Sequence, residues 1–518
     1  MALIPSDLNI HAPGSASLII SAVLLYCAYG IILGIYRLWF SPLAKVPGPW
    51  LAAATQWYET YYEIVPGGGG MFTKKIKQLH EKYGPIVRIN PNEVHIDDPE
   101  YYETIYTTTK QYDKLVSFQE RFNMPRATFM TADGEVHKHR RKALANFFAP
   151  SKMRAQEQFM QSLVDTITHR MKTEYSGQNK VLVLNDVFGC LAGDVITNLA
   201  FARSYKLIET ENWESPFTIA VTNLVHTSHW TTQFGWIIPI MNCIPDRITG
   251  ALVPIFKPII DFRLEMESQV GEILAGMNKD VKEAQHRTVF QDIIDSDLPP
   301  HEVSLLRLQN EAVSVVGAGF ETTRWALTVF CYHVLANPSI NKRLRDELKD
   351  AIPDPEQMPS WAALQELPYL SACIEEALRV GYGIVQRSPR ISRHSAFEYN
   401  GYVLPPGTGV SSDAYHMHHN EAIFPDSHTF KPERWLGNPK GPDGEKPLSR
   451  YHIAFGRGTR ICLGMAMAKC EIFITTASIF RRCDFELFKT TQDAVAFHHD
   501  MVTPQPAYDQ KGVRILVK

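Results

Sequence analysis

The chain has 518 residues, 45% hydrophobic and 21% charged, with a formal net charge of −3. That is an ordinary globular composition with room for a large core, and length alone allows three or four domains. The charge leaves no footprint for nucleic acid. The eight scattered cysteines form no CxxC pair, so neither a zinc ribbon nor a disulfide framework is indicated and a reducing compartment is the simpler reading.

Ser15 to Tyr36 carries no charged residue and is dominated by Ile, Leu and Val. At about 1.5 Å per residue it is long enough to cross a hydrocarbon core of about 30 Å. Arg37 and Lys45 follow it, whereas residues 1–14 hold no Lys or Arg. The positive-inside rule then places residues 1–14 in a lumen and the body in the cytosol. A cleaved signal peptide and a buried helix are the competing readings; the leader lacks a basic n-region. Residues 37–50 include Pro42, Pro47 and Pro49 and are expected to form a stiff hinge. The body is then 51–518. The glycine run Gly67–Gly70 lacks the Lys-Ser/Thr ending of a phosphate-binding loop.

In the body, Phe72 to Tyr83 reads as a helix closed by Gly84-Pro85, followed by a strand, an Asn90-Pro91-Asn92 turn and a strand to Ile96. Asp133 to Lys142 opens another helix, with His137 and Arg141 at i, i+4. Lys138, Arg140 and Lys142 make either a solvated basic face or part of a docking face. Residues 204–266 are rich in Trp, Phe, Ile and Pro; an apolar face near a membrane and plain core packing both account for them.

A proline-free stretch from Glu302 to Leu335 predicts a long helix, with Gly317 and Gly319 in its interior beside Glu321 and Thr322. Interior glycines cost about 1 kcal/mol each, so they need a reason. Close approach to a flat cofactor is one, and close helix–helix packing is the other. A helical Thr322 also has the option of bonding back to the i−4 carbonyl. Further on, Glu376 and Arg379 lie at i, i+3, while Glu375 at i, i+4 competes for the same arginine. Asn400-Gly401 between two apolar triplets is a type I′ hairpin signal. His416, His418 and His419 cluster without an evident matching ligand set, so a metal site there is outweighed by an ordinary loop. Pro432-Glu433-Arg434-Trp435 precedes Phe455-Gly456-Arg457-Gly458-Thr459-Arg460-Ile461-Cys462-Leu463-Gly464. This last stretch sets one cysteine on a glycine-marked turn, with a helix expected from Met465 to about Phe480. A thiolate at that helix N-terminus is favoured by backbone N–H groups and the macrodipole.

The spacing F-x-x-G-x-R-x-C-x-G, with [AG]-G-x-[DE]-T-[ST], E-x-x-R and P-E-R-[FW] upstream in order, resembles the cytochrome P-450 family over residues 37–518. The resemblance is to the fungal microsomal, secondary-metabolism type, including members acting on sesquiterpenes such as trichodiene. It implies a mainly α fold with small β-sheets, preceded by one transmembrane helix in the endoplasmic reticulum membrane, with the catalytic domain facing the cytosol. It implies haem b held by Cys462 as the axial thiolate, within a loop formed by Phe455, Gly458, Arg460 and Gly464. It gives His137, standing where the family has Trp, and Arg141 to a haem propionate, and makes Arg390, with Arg387 as alternate, a propionate-binding arginine. Gly319, Glu321 and Thr322 become the oxygen-activation and proton-delivery segment. Glu376, Arg379 and Arg434 become a buried structural triad. Electrons come from NADPH through a partner reductase, with cytochrome b5 as a second donor, at basic residues such as Lys138, Arg140, Arg457 and Lys469. The implied reaction is hydroxylation or epoxidation of an apolar small molecule such as a terpenoid. A haem-thiolate isomerase or dehydratase and a non-catalytic haem protein are the alternatives.

Overall fold

The computed structural model describes residues 15–278 and 286–518; the expected lumenal segment 1–14 lies outside them. The chain is mostly helical, with four small sheets among the described residues.

An apolar helix, Ser15–Ile35, leads the described chain, and its residues 18–32 are exposed. The span long and apolar enough for a membrane runs Leu18–Phe40, with mean hydropathy 2.4. It therefore passes four residues beyond the expected end at Tyr36, because the chain continues into a wider π-type turn, Tyr36–Phe40. The proline stretch after it is docked against the body. Arg88, fully buried, donates to the carbonyls of Arg37 (2.8 Å) and Pro91 (2.8 Å). Its own N–H donates to Pro47 O at 2.7 Å. Arg37 in turn donates to Ala54 O at 3.0 Å.

The helix Phe72–Tyr83 and the strands Ile86–Asn90 and Glu93–Ile96 form where expected. These strands are antiparallel; Glu93–His95 then pairs in parallel with Gly409–Ser411, whose other edge takes Arg390–Ile391. Asp113 bridges to Ile391 on the far side. One sheet thus gathers residues more than 300 positions apart. The hairpin Phe397–Tyr399/Tyr402–Leu404 turns through Asn400 (φ 47°) and Gly401 (φ 81°), the double positive φ that a type I′ turn needs.

The helical core is built around two long elements, Leu184–Phe201 and the central helix Leu305–Ala336. The central helix begins at Leu305, not Glu302. Pro300–Val303 forms a 3₁₀ turn, and Glu302 is drawn into pairs with Arg140 (2.7 Å) and Arg307 (3.0 Å). The two long helices interlock through glycine. Phe320 packs over Gly189, and a Cβ on Gly319 would sit 2.8 Å from Ile196 Cγ1. That distance is closer than real Cβ atoms come. Gly319 is therefore a helix-packing glycine, the second of the two reasons the sequence left open.

Gly319→Ala tests this packing. Overpacking against Ile196 should cost about 1–3 kcal/mol, which outweighs the ~1 kcal/mol of helix propensity that alanine adds. Chemical denaturation of the single variants and of Gly319→Ala/Ile196→Ala should show a positive coupling, with the pair losing less than the sum. Net stabilisation by Gly319→Ala would disprove the close contact.

Candidate active site

The cysteine loop is shaped by backbone contacts. Cys462 N–H donates to Phe455 O at 2.9 Å, Ile461 N–H to Gly458 O at 3.1 Å, and Thr459 N–H to Thr107 O at 3.1 Å. Gly458 has φ +76°, and a Cβ there would overlap the carbonyl oxygens of Tyr106 and Thr107. Only glycine meets both conditions. Gly464 is the N-cap of the helix Met465–Arg482, so Cys462 stands just ahead of that helix's N-terminus. By surface area the Cys462 side chain is exposed, yet it is densely enclosed by protein atoms. The sulfur thus keeps accessible surface within crowded surroundings. Burial pushes its thiol pKa up, while the Gly464 N–H and the Arg141 charge act against that rise.

A wholly buried carboxylate holds the loop from below. Glu376 accepts from Arg379 Nε (2.9 Å) and Nη2 (2.8 Å), Arg434 Nε (2.9 Å), Trp435 Nε1 (2.9 Å) and Lys431 N–H (2.9 Å). These donors hold its pKa below the ordinary carboxylate value against the opposing effect of burial. Arg379 passes the link on, donating to the carbonyls of His418 (2.8 Å) and Ser427 (2.7 Å). His418 Nδ1–H donates to Arg379 O at 2.8 Å, which leaves Nε2 free to accept Ile453 N–H at 3.0 Å. Ile453 lies two residues before Phe455. Glu375 has other partners, Lys469 at 2.7 Å and His452 at 3.4 Å.

Beside the loop lies a group of cations. Arg460 donates to the carbonyls of Thr131 (2.8 Å) and Ala132 (3.0 Å). Arg390 is anchored on Ser388 O (3.0 Å) and Oγ (2.8 Å) and lies over the Tyr106 ring. His137 and Arg141 share one face of the helix Gly134–Ala145, whose N-cap Asp133 accepts from the N–H groups of Glu135 and Val136. Lys114, unmarked by any motif, donates to Phe129 O at 2.6 Å. It is carried here by the sheet, because its neighbour Asp113 pairs with Ile391 next to Arg390. Burial pushes His137 down to about 2, and the charges of Arg460, Lys114, Arg141 and Arg390 push the same way. Its Nδ1 has no hydrogen-bond partner among the described residues. Burial, with no ion pair of its own, lowers Arg460 to about 9, Arg390 adding to the drop.

Among the described residues none of Lys114, Arg141, Arg390 and Arg460 is salt-bridged to a carboxylate. Asp113 and Asp133, the nearest acids, are taken by Arg393. Arg387 is different: it is paired with Glu59 (2.8 Å) and Glu93 (3.0 Å) and is fully buried with them. Four uncompensated cations are costly unless an anion joins them. The donor set fits a ligand carrying two carboxylates, as haem does, with a soft metal for the sulfur.

On the central helix, Thr322 Oγ1 bonds back to Ala318 O at 2.9 Å. Ala318 is exposed and Thr322 half-buried, in a helix otherwise lined by buried residues. Glu321 points elsewhere: Arg324 holds its Oε2 (2.6 Å) and Gln505 its Oε1 (3.1 Å). Of the basic residues expected at a partner face, Arg140 is paired with Glu302 and Lys469 with Glu375, and Arg457 donates to the Ser449 carbonyl. Lys138 alone of the four is mostly exposed, at 60% of its side chain.

Comparison with known proteins agrees with this geometry. The family model "Cytochrome P450" matches residues 53–511. "Cytochrome P450 monooxygenase orf4" of Eupenicillium brefeldianum is 40% identical over 95% of this chain and 97% of its own length. "Cytochrome P450 monooxygenase sdnE" of Sordaria araneosa is 36% identical over 97% of this chain and 98% of its own. The "Fusicoccadiene C-8 hydroxylase" of Phomopsis amygdali is 34% identical over 97% of this chain and 96% of its own. With its cysteine loop, its central helix and this full-length similarity, the chain belongs to the cytochrome P450 family of haem-binding monooxygenases.

Proposed function

We propose that this protein is a membrane-anchored monooxygenase that hydroxylates or epoxidises an apolar secondary-metabolite intermediate, a terpenoid by preference. The observation that carries the reading is the accessible Cys462 sulfur on a glycine-shaped loop, flanked by four cations without carboxylate partners. A relative bearing the name of a fusicoccadiene hydroxylase supports the substrate class.

When bound, haem supplies dioxygen activation and oxygen insertion into an unactivated C–H bond. The protein's residues do the rest. Cys462 would hold the iron as a thiolate, the form that the Gly464 N–H and the Arg141 charge favour. Arg390, Arg460, Arg141 and Lys114 hold the propionates, and His137 Nδ1 is their neutral hydrogen-bond partner. Phe455 covers the sulfur side. Thr322 Oγ1 delivers protons into the cavity, turning away from Ala318 O to do so. Glu321 resupplies Thr322 once it leaves Arg324 and Gln505, so that ion pair acts as the proton gate.

The Leu18–Phe40 helix serves as the anchor in the endoplasmic reticulum membrane, with residues 51–518 as one cytosolic catalytic domain. Trp57, Trp230 and Trp236 are each more than half exposed, and Phe234 lies against all three. Trp57 follows the anchor segment, so this aromatic patch faces the lipid. A diflavin reductase supplies electrons from NADPH, docking near Lys138.

Three outcomes test the proposal. Cys462→Ser should lose the far-red-shifted Soret band of the reduced carbon monoxide complex; a variant that keeps the band would place the ligand elsewhere. Thr322→Ala should keep haem and substrate binding, yet lower product formed per NADPH consumed by roughly tenfold or more, with peroxide making up the difference. An unchanged ratio would remove Thr322 from proton delivery. Deleting residues 1–36 should shift the protein from tight to weak, salt-independent membrane association with haem intact. Complete retention in carbonate-washed membranes would put the anchor outside that helix.

A further inference from the structure

Away from the haem site, three histidines from distant parts of the chain meet in the core. His80 comes from the helix Phe72–Tyr83, His95 from the strand Glu93–Ile96 and His416 from the short helix Ala414–His418. His95 and His416 are wholly buried and His80 is 8% exposed. One ring nitrogen of each lies within 4.8 Å of one nitrogen of both others.

The hydrogen bonds show which nitrogens these are. His80 Nδ1 faces Gly84 O at 2.7 Å. His95 Nε2 faces Asp413 Oδ2 at 3.1 Å, and His416 Nδ1 faces Asp413 Oδ1 at 2.8 Å. Each ring therefore has one nitrogen on an acceptor oxygen, which requires a proton on that nitrogen. The remaining nitrogens are His80 Nε2, His95 Nδ1 and His416 Nε2. The first two lie 2.8 Å apart, and His416 Nε2 has no partner among the described residues.

Counting protons exposes a mismatch. The four short gaps need four protons, and three neutral imidazoles carry three. A fourth proton would make one ring an imidazolium and would still leave the His416 Nε2 lone pair buried and bare. A divalent cation resolves both problems. All three lone pairs then point at the metal, and all three N–H groups point at oxygen. That outer arrangement, imidazole N–H onto carboxylate or backbone carbonyl, is the one metal-bound histidines adopt.

We propose that His80, His95 and His416 bind a zinc ion, with Asp413 as the shared outer carboxylate. Three imidazoles suit zinc among the divalent cations, with water in the fourth position. On binding, the His80–His95 nitrogen separation opens to about 3.3 Å, as zinc–nitrogen bonds of about 2.0–2.1 Å at a tetrahedral angle require. The ion joins the N-terminal sheet to the segment that carries His418, and through it to the backbone below Cys462. The sequence alone directed attention to His416, His418 and His419. The fold separates them, because His418 supports Ile453 and His419 bonds Tyr382 and Ser427.

The test is metal analysis of the intact, haem-loaded protein, expressed with zinc supplied and dialysed against a weak chelator. One zinc per chain is expected, and X-ray absorption at the zinc edge should show three imidazole nitrogens at about 2.0 Å. His416→Gln and His95→Gln should each lower bound zinc at least about tenfold under the same dialysis. The proposal is overturned by wild-type protein with less than about a tenth of an equivalent. A sulfur or oxygen-only zinc shell, or full zinc retention in folded His416→Gln, overturns it as well. The wild-type stoichiometry and spectrum decide the matter even where a variant fails to fold.

Discussion

The Glu376 carboxylate is the constraint on which the proximal half of the molecule depends. It is completely buried and accepts five hydrogen bonds, from two arginines, a tryptophan and a backbone N–H. A buried ion cluster of this kind contributes little net stability compared with a well-packed apolar core. Its value lies in the severity of the alternative, because a missing partner strands a charge in low dielectric. The arrangement is therefore close to all-or-none. Because Arg379 also holds His418, and His418 holds Ile453 N–H, that stringency is passed to the loop bearing Cys462.

The distal side of the loop reverses this logic. There the protein collects cations and withholds the matching acids. Asp113 and Asp133 are turned to Arg393, and Glu59 and Glu93 to Arg387. What remains, Lys114, Arg141, Arg390 and Arg460, has no salt-bridged carboxylate among the described residues, although the charges of Asp113 and Asp133 still act on Arg460. One half of the site is self-satisfied and rigid; the other is completed only by an anionic ligand.

Much of this was legible in the sequence where the signal is local. The helix Phe72–Tyr83, the Asn400-Gly401 hairpin and the helix after Gly464 follow from periodicity, turn chemistry and capping residues. The choice of Glu376 over Glu375 rested on a motif, and the structure places Glu376 between Arg379 and Arg434 while Glu375 faces Lys469. What was not legible depends on contacts between remote segments. Lys114 reaches the cation group only because Asp113 adds to a sheet built from residues near 90, 390 and 410. The sequence leaves Gly319 between cofactor approach and helix packing because nothing in it names Ile196 as the neighbour. The apolar span ends late because a π-type turn carries the helix past Arg37, and Arg88 then pins that turn from 51 positions away.

The Arg88 bonds to Arg37 O and Pro47 O bear on how substrate arrives. A free hinge would let the body tumble beneath the bilayer and sample substrate from water. A docked linker removes that freedom and, on the proposed anchoring, would hold one face, with Trp57, Trp230 and Trp236, toward the lipid. For an apolar substrate the relevant reservoir is then the membrane. Its occupancy of the site follows its partition coefficient as much as any pocket contact, so selectivity among hydrocarbons of similar shape is set partly by the solvent from which they are drawn.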